Sequence, residues 1–210
     1  MIYLCVDYYL KYQDVIGYLI GRSIEEKLSY SFIEESISYS KAFSQFEKSN
    51  VTEIAFSSMQ KLYFDIFPLY TSKEFEYNPY DIYAWLGYAY LHLFLELQIT
   101  FETLFIIFPI EDALFRYKIY HEMDISQLIN YVKGKVKYSY LDSIMSYRNI
   151  SSNELSNKTG ISFSTIQALR YNKRQIDKLE SGKVLALSSA LNVKIESLLP
   201  KLNLVFDNFE

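Results

Sequence analysis

His121, Glu122 and Asp124 are the one cluster in the chain with residue types suited to acid–base catalysis or metal ligation. A second nearby histidine is missing, and the end of a solvated helix accounts for the cluster better. The pairs Glu25-Glu26, Glu34-Glu35 and Glu111-Asp112 are adjacent in sequence, so the carboxylates of each pair do not share a helix face. Gly17 and Gly21 lie in a helical pattern with no Lys-Ser/Thr after them, which is not a phosphate-cradling loop. Cys5 reads as a small buried hydrophobe rather than a nucleophile. A single cysteine excludes a disulfide within the chain and a cysteine-rich zinc site. The expectation is a non-enzymatic protein with no catalytic residue, no metal and no cofactor. What chemistry remains is hydrogen bonding and positive charge, gathered in SNELSNKTGISFSTIQALRYNKR (152–174).

The scaffold that must hold this segment is globular. Half of the 210 residues are hydrophobic and 22% are charged, which is neither a disordered nor a fibrous composition. The length suffices for one large or two small domains. The greasiest stretch, LHLFLELQITFETLFIIFPI (91–110), is interrupted by His92, Glu96, Gln98, Thr100 and Glu102, so it reads as buried helix rather than a membrane span. The opening MIYLCVDYYL lacks the basic start of a signal peptide. A soluble, cytoplasmic protein without membrane association is expected.

Two regions differ in character. Of 37 aromatic residues, 32 lie in the first 140 positions. Residues 1–130 hold nine Lys and Arg against 18 Asp and Glu, a balance of −9; residues 131–210 hold 12 against seven, a balance of +5. Such asymmetry marks a module that faces a polyanion, carried on an otherwise acidic protein. The change falls near YVKGKVKYSY (131–140). The expected organisation is an acidic, aromatic-rich helical domain over 1–135, a second domain over 136–200 and a tail over 201–210. The tail, LNLVFDNFE (202–210), reads equally as a dimer arm or a frayed end.

The first region reads as helical. TEIAFSSMQKLYFDIF (52–67) keeps Ile54, Met59, Leu62, Tyr63 and Ile66 to one side at helical spacing, with Thr52 as the N-cap. Asn78-Pro79 has the form of a helix opening. Thr100 caps a short helix that Pro109 ends or kinks, and Asp124 caps a helix over 125–134 that Gly134 terminates. FIEESISYSKAFSQFEKS (32–49) favours helix over strand. The aromatic residues suit first a packed core whose tyrosine hydroxyls reach the surface, and, compatibly with that, a partner groove or dimer interface.

In the second region, Ser151 or Ser152 starts a helix with Glu154 in its first turn, where the helix dipole favours negative charge. That helix ends near Thr159, and Gly160 supplies the left-handed backbone of a tight turn. Ser162 caps the next helix. Inward positions fall at Leu155, Ile161, Ile166 and Leu169, with the small Ser156 where the two helices approach. This is the spacing of a helix-turn-helix.

With its flanks, the segment over about 139–199 resembles the helix-turn-helix module of the phage-repressor (Cro/cI, or XRE) family. LDSIMSYRN (141–149) is similar to the family's first helix, with Leu141, Ile144 and Met145 inward. In KRQIDKLESGKVLALSSALNVKIESLLP (173–200), Asp177 and Glu180 have the spacing of a capping box, Val184, Leu187 and Leu191 form a buried stripe, and Asn192 suits a left-handed stop. The fold class expected is all-α: an aromatic-rich helical N-terminal domain followed by a five-helix XRE-type module.

The resemblance implies that the second helix of the pair enters a DNA major groove. With Ile166 and Leu169 inward, Ser164, Gln167, Ala168 and Tyr171 turn outward, flanked by Phe163 and Thr165. Gln167 has the geometry to pair with adenine, and Ser164 or Thr165 can donate or accept. Ala168 and Phe163 can meet a thymine methyl. Arg170, Lys173, Arg174 and less centrally Lys158 fall where phosphates pass, and the N–H groups at the Ser162 end add a further phosphate contact. Phe163 departs from the polar reader common in the family, and no basic residue precedes Arg170 in the helix. The expected partner is double-stranded operator DNA, bound as a homodimer. In organisation the chain resembles antitoxins that repress their own operon and phage inhibitors of host defence, which implies a toxin or defence protein as partner of the N-terminal domain. The alternative is an interaction inhibitor whose acidic domain is the active part and whose DNA binding is only autoregulatory.

Overall fold

The computed structural model describes residues 6–50, 52–70, 75–79 and 81–199; Cys5 and the tail over 201–210 lie outside the described residues. The described chain is all-helical. Among the described residues, nine helices build the N-terminal bundle: α1 (Val6–Glu25), α2 (Tyr30–Tyr39), α3 (Lys41–Phe46), α4 (Thr52–Phe56), α5 (Met59–Ile66), α6 (Ile82–Leu97), α7 (Phe101–Ile107), α8 (Ile110–Tyr120) and α9 (Ile125–Lys135). Five follow: α10 (Tyr140–Tyr147), α11 (Ser152–Thr159), α12 (Phe163–Arg170), α13 (Ser181–Leu191) and α14 (Ile195–Leu198), with a short 3-10 turn at Ile176–Lys178 before α13.

Two hydrophobic cores form, one within the bundle and one within α10–α14. Aromatic rings fill much of the first: Phe94 stacks on Phe101 at 4.8 Å between centroids and on Phe46 at 5.1 Å, and Phe43 meets Phe101 edge-on at 4.9 Å. The central packing is α1 against α6. Their backbones approach where the side chain is absent: a Cβ on Gly87 would lie 2.1 Å from the Gln13 carbonyl oxygen. Leu128 and Val132 of α9 still belong to the first core, and Leu141 of α10 opens the second.

Helix starts follow side-chain oxygens that accept from orphan N–H groups. Ser29, Ser40, Ser58, Asp81, Thr100 and Asp124 each cap a helix in this way. Three local expectations change. The single helix over 52–67 is two, broken where Ser57 and Ser58 offer an alternative to helical bonding; Ser58 caps α5, and Thr52 is a helical residue rather than a cap. Helix α6 opens not at Asn78-Pro79 but at Asp81, whose carboxylate accepts from both Tyr83 and Ala84 N–H. Helix α9 runs past Gly134 to Lys135, because nothing there requires a left-handed residue. The region 32–49 is helical, as expected, in two helices that meet at Ser40.

A buried polar seam joins the bundle to α14. Glu47 and Glu102 are each only 5% exposed. Lys194 donates to Glu47 Oε2 at 2.6 Å and to the Ser38 carbonyl at 2.9 Å. The other Glu47 oxygen accepts from Phe101 N–H at 2.7 Å, at the start of α7. Glu102 accepts from Lys194 N–H at 2.9 Å, from Ser197 Oγ at 2.6 Å and from Tyr39 Oη at 2.6 Å. Thr103 Oγ1 donates to the Ser197 carbonyl at 3.2 Å. Burial raises the Glu47 pKa and Lys194 opposes that rise, so the ammonium is what makes the buried carboxylate tolerable.

Two outcomes are expected from this packing. Gly87→Ala lowers stability by about 1–3 kcal/mol through overpacking, whereas Gly182→Ala, with open space at its Cβ, is neutral or mildly stabilising; urea melts of both variants read this directly. Lys194→Met leaves Glu47 buried and unpaired and costs about 3–5 kcal/mol, while the double change with Glu47→Leu recovers most of the loss.

Candidate nucleic-acid interface

Helices α11 and α12 are set by local chemistry. Ser151 Oγ accepts from Glu154 N–H, and Glu154 accepts from Ser151 N–H at 2.8 Å, a complete capping box. That backbone N–H holds the Glu154 carboxyl below its ordinary pKa. Gly160 stops α11 at φ 68°, where a side chain would be strained. Ser156 Oγ donates to the Ile161 carbonyl at 2.6 Å, which fixes the turn between the helices. Ser162 accepts from Thr165 N–H and starts α12. Leu155, Ile161, Ile166 and Leu169 are buried together with Ile144, Leu187 and Leu191. Val184 packs on this core from a half-buried position, and Asn192 ends α13 at φ 51°.

One local expectation does not hold. Asp177 and Glu180 form no capping box: Asp177 lies in the 3-10 turn, and Glu180 starts α13 without a side-chain cap bond. The turn consumes the residues between them, so the two side chains do not frame one helix start.

The outward side of α12 is open to solvent. Ser162, Phe163 and Ser164 are exposed; Thr165, Gln167 and Ala168 are half-buried. Phe163 is 47% exposed and so is not drawn into the core. Tyr171, Lys173 and Arg174 are exposed beyond the helix end, and Lys158 is exposed on α11. The bundle meets the module elsewhere, through α10 and through the Lys194–Ser197 seam.

Arg170 stands apart from the other cations. Its Nε donates to Asp142 Oδ1 at 2.6 Å, and Nη1 reaches Ser152 Oγ at 3.4 Å. Its own carbonyl accepts from Ser139 Oγ at 2.8 Å. Arg170 thus ties α12 to α10 and α11, with its guanidinium turned toward the module rather than held free beside Lys173 and Arg174. Tyr171 packs edge-on against Tyr138 at 4.7 Å. Sequence reasoning missed Asp142, Ser139 and Tyr138. A signal for the first two was present: Ser139-x-x-Asp142 has the spacing of a cap with an acidic third residue, and Ser139 does cap α10.

Residues 140–200 match the Cro/C1-type HTH DNA-binding domain. The Cro/C1-type module supports a DNA-binding regulator. No curated protein and no solved structure matches the chain. The bundle before the Cro/C1-type module lies outside the match. Among the described residues, no group of three or more His, Cys, Asp or Glu is placed to hold a metal ion. His121 sits at the end of α8, its Nδ1 donating to the Tyr117 carbonyl at 2.8 Å, and Asp124 caps α9. No single described helix is long and apolar enough to cross a membrane; α6 and α7 together have the length but are bent by 109°.

Removing Arg170 and removing the outer cations therefore separate in a melt. Arg170→Ala leaves Asp142 buried without its partner and lowers stability by about 1–3 kcal/mol. Lys173→Ala and Arg174→Ala each shift it by less than about 0.5 kcal/mol.

Proposed function

We propose that this protein is a sequence-specific transcriptional repressor that binds operator DNA as a symmetric dimer through α12 of each copy. The observation that carries this reading is the open outward side of α12, with the exposed cations Lys173 and Arg174 at its end and the acidic bundle docked elsewhere. Gln167 reads a base edge, most simply adenine through its side-chain amide. Ser164 and Thr165 add hydrogen bonds, and Phe163 with Ala168 offers apolar contact to a thymine methyl. Lys173, Arg174, Lys158 and the N–H groups at Ser162 face phosphates. One such module makes few contacts, which is why two half-sites about one helical turn apart are expected.

The bundle supplies the second surface. Its balance of −9 over residues 1–130 and its exposed Phe56, Leu69 and Phe115 suit a protein partner with a basic face. An antitoxin-type or phage autoregulatory protein combines these two surfaces. The same acidity favours a second reading, in which the bundle inhibits that partner and DNA binding only sets the protein's own level.

A gel shift of the full chain with the DNA upstream of its own gene, run over a salt series, tests the repressor. Gln167→Ala weakens that site by about 1–3 kcal/mol and relaxes specificity. Lys173→Ala and Arg174→Ala weaken all sequences alike, each flattening the salt slope by about one unit. Equal, salt-insensitive behaviour of wild type and variants contradicts the reading.

A further inference from the structure

Beside the end of α12 lies a cleft of about 310 Å³. Three stretches build it: residues 136–140 that lead into α10, the turn that follows α12, and the end of α14. Leu141, Leu169, Ile176 and Leu198 form an apolar floor, all of them buried. The exposed residues Asn172, Arg174 and Gln175 line its rim. Among the described residues no Asp or Glu lines the cleft, and Arg174 makes no ion pair with them.

Small-molecule sites have this make-up: an apolar pocket with a few polar groups that fix orientation. The volume is at the lower end of such sites, enough for a compact ligand of two or three aromatic rings. A lone cation among amides at the rim selects an anionic end, because charge-assisted bonds to a guanidinium are strong and directional. A neutral ligand would leave that preference unused, and a cation would be repelled.

We propose that this cleft binds a small aromatic anion, a ring system bearing a carboxylate or sulfonate, and that the bound anion releases the module from DNA. The coupling follows from shared parts. Arg174 is at once the rim of the cleft and a phosphate contact in the proposed complex. Leu169, on the floor, belongs to α12 itself. A bound anion withdraws Arg174 from the phosphate, and DNA lowers the affinity for the anion by the same factor. The coupling rests on the DNA-binding reading of α12; the occupancy of the cleft does not.

The test titrates the full-length protein, free of DNA, with 1-anilinonaphthalene-8-sulfonate and with N-phenyl-1-naphthylamine, which has the same rings and no sulfonate. One sulfonate binds per chain. Arg174→Ala weakens it about tenfold and leaves the neutral ring compound unchanged; Lys118→Ala, on the remote α8, changes neither. Equal sulfonate binding by wild type and Arg174→Ala, or many unsaturable sites, overturns the proposal. In a gel shift, saturating sulfonate is expected to release DNA from wild type. DNA binding that persists at saturation overturns the coupling. A chain with no DNA affinity at all overturns the repressor reading, and the titration on free protein still decides the cleft.

Discussion

The architecture depends on one buried ion pair and the carboxylate beside it. Lys194 reaches across from the start of α14 to Glu47, and Glu102 takes the backbone N–H of that same lysine together with the Ser197 hydroxyl. Burying two carboxylates is costly unless each oxygen has a donor, and here both do. The donors come from both sides of the joint: Phe101 N–H and Tyr39 from the bundle, Lys194 and Ser197 from the module. A seam of this kind is directional, unlike a greasy contact, so it fixes orientation as well as attachment. Its consequence for function is spatial. The bundle holds the module by α14 and α10, and the outward side of α12 stays open.

Within the module the same logic repeats on a smaller scale. Several polar groups around α11 and α12 are engaged locally. Glu154 is held by Ser151, Ser156 closes the turn onto Ile161, and Arg170 is drawn inward by Asp142. At the helix end Lys173 and Arg174 are positive and exposed, without an ion pair among the described residues, on a chain of net charge −4. In the proposed complex the acidic bundle would repel a polyanion while the module attracts it, which favours one orientation toward DNA. The cleft at the far end of α12 gives that surface a route to control by a small anion.

Legibility in the sequence followed the range of the interaction. The turn at Gly160, the caps at Ser151 and Ser162 and the inward set Leu155, Ile161, Ile166 and Leu169 all depend on residues within a few positions of each other, and each is found where the spacing puts it. The helical bundle was legible as a class from its periodicity. The exact starts were less so: Asp81 displaces Asn78 as the cap of α6, because a cap is decided by which oxygen reaches the free N–H groups. The seam was not legible at all. Glu47 and Lys194 are 147 positions apart, and nothing in either neighbourhood marks a charge that will be buried. Arg170 shows the same limit: its position suggested a phosphate contact, but Asp142, 28 residues earlier, holds its guanidinium.

Placement of a photoreactive side chain tests the central claim most directly. Phe163 is replaced by p-benzoylphenylalanine, which preserves its ring, and Phe56 on the bundle, 76% exposed, is replaced in the same way as a reference. Irradiation with duplex DNA from upstream of the gene is expected to attach DNA at position 163, and not at 56, with a yield that falls as salt rises. Attachment at 56 and none at 163 would place nucleic acid on the bundle, or leave α12 facing something else, and would contradict the account.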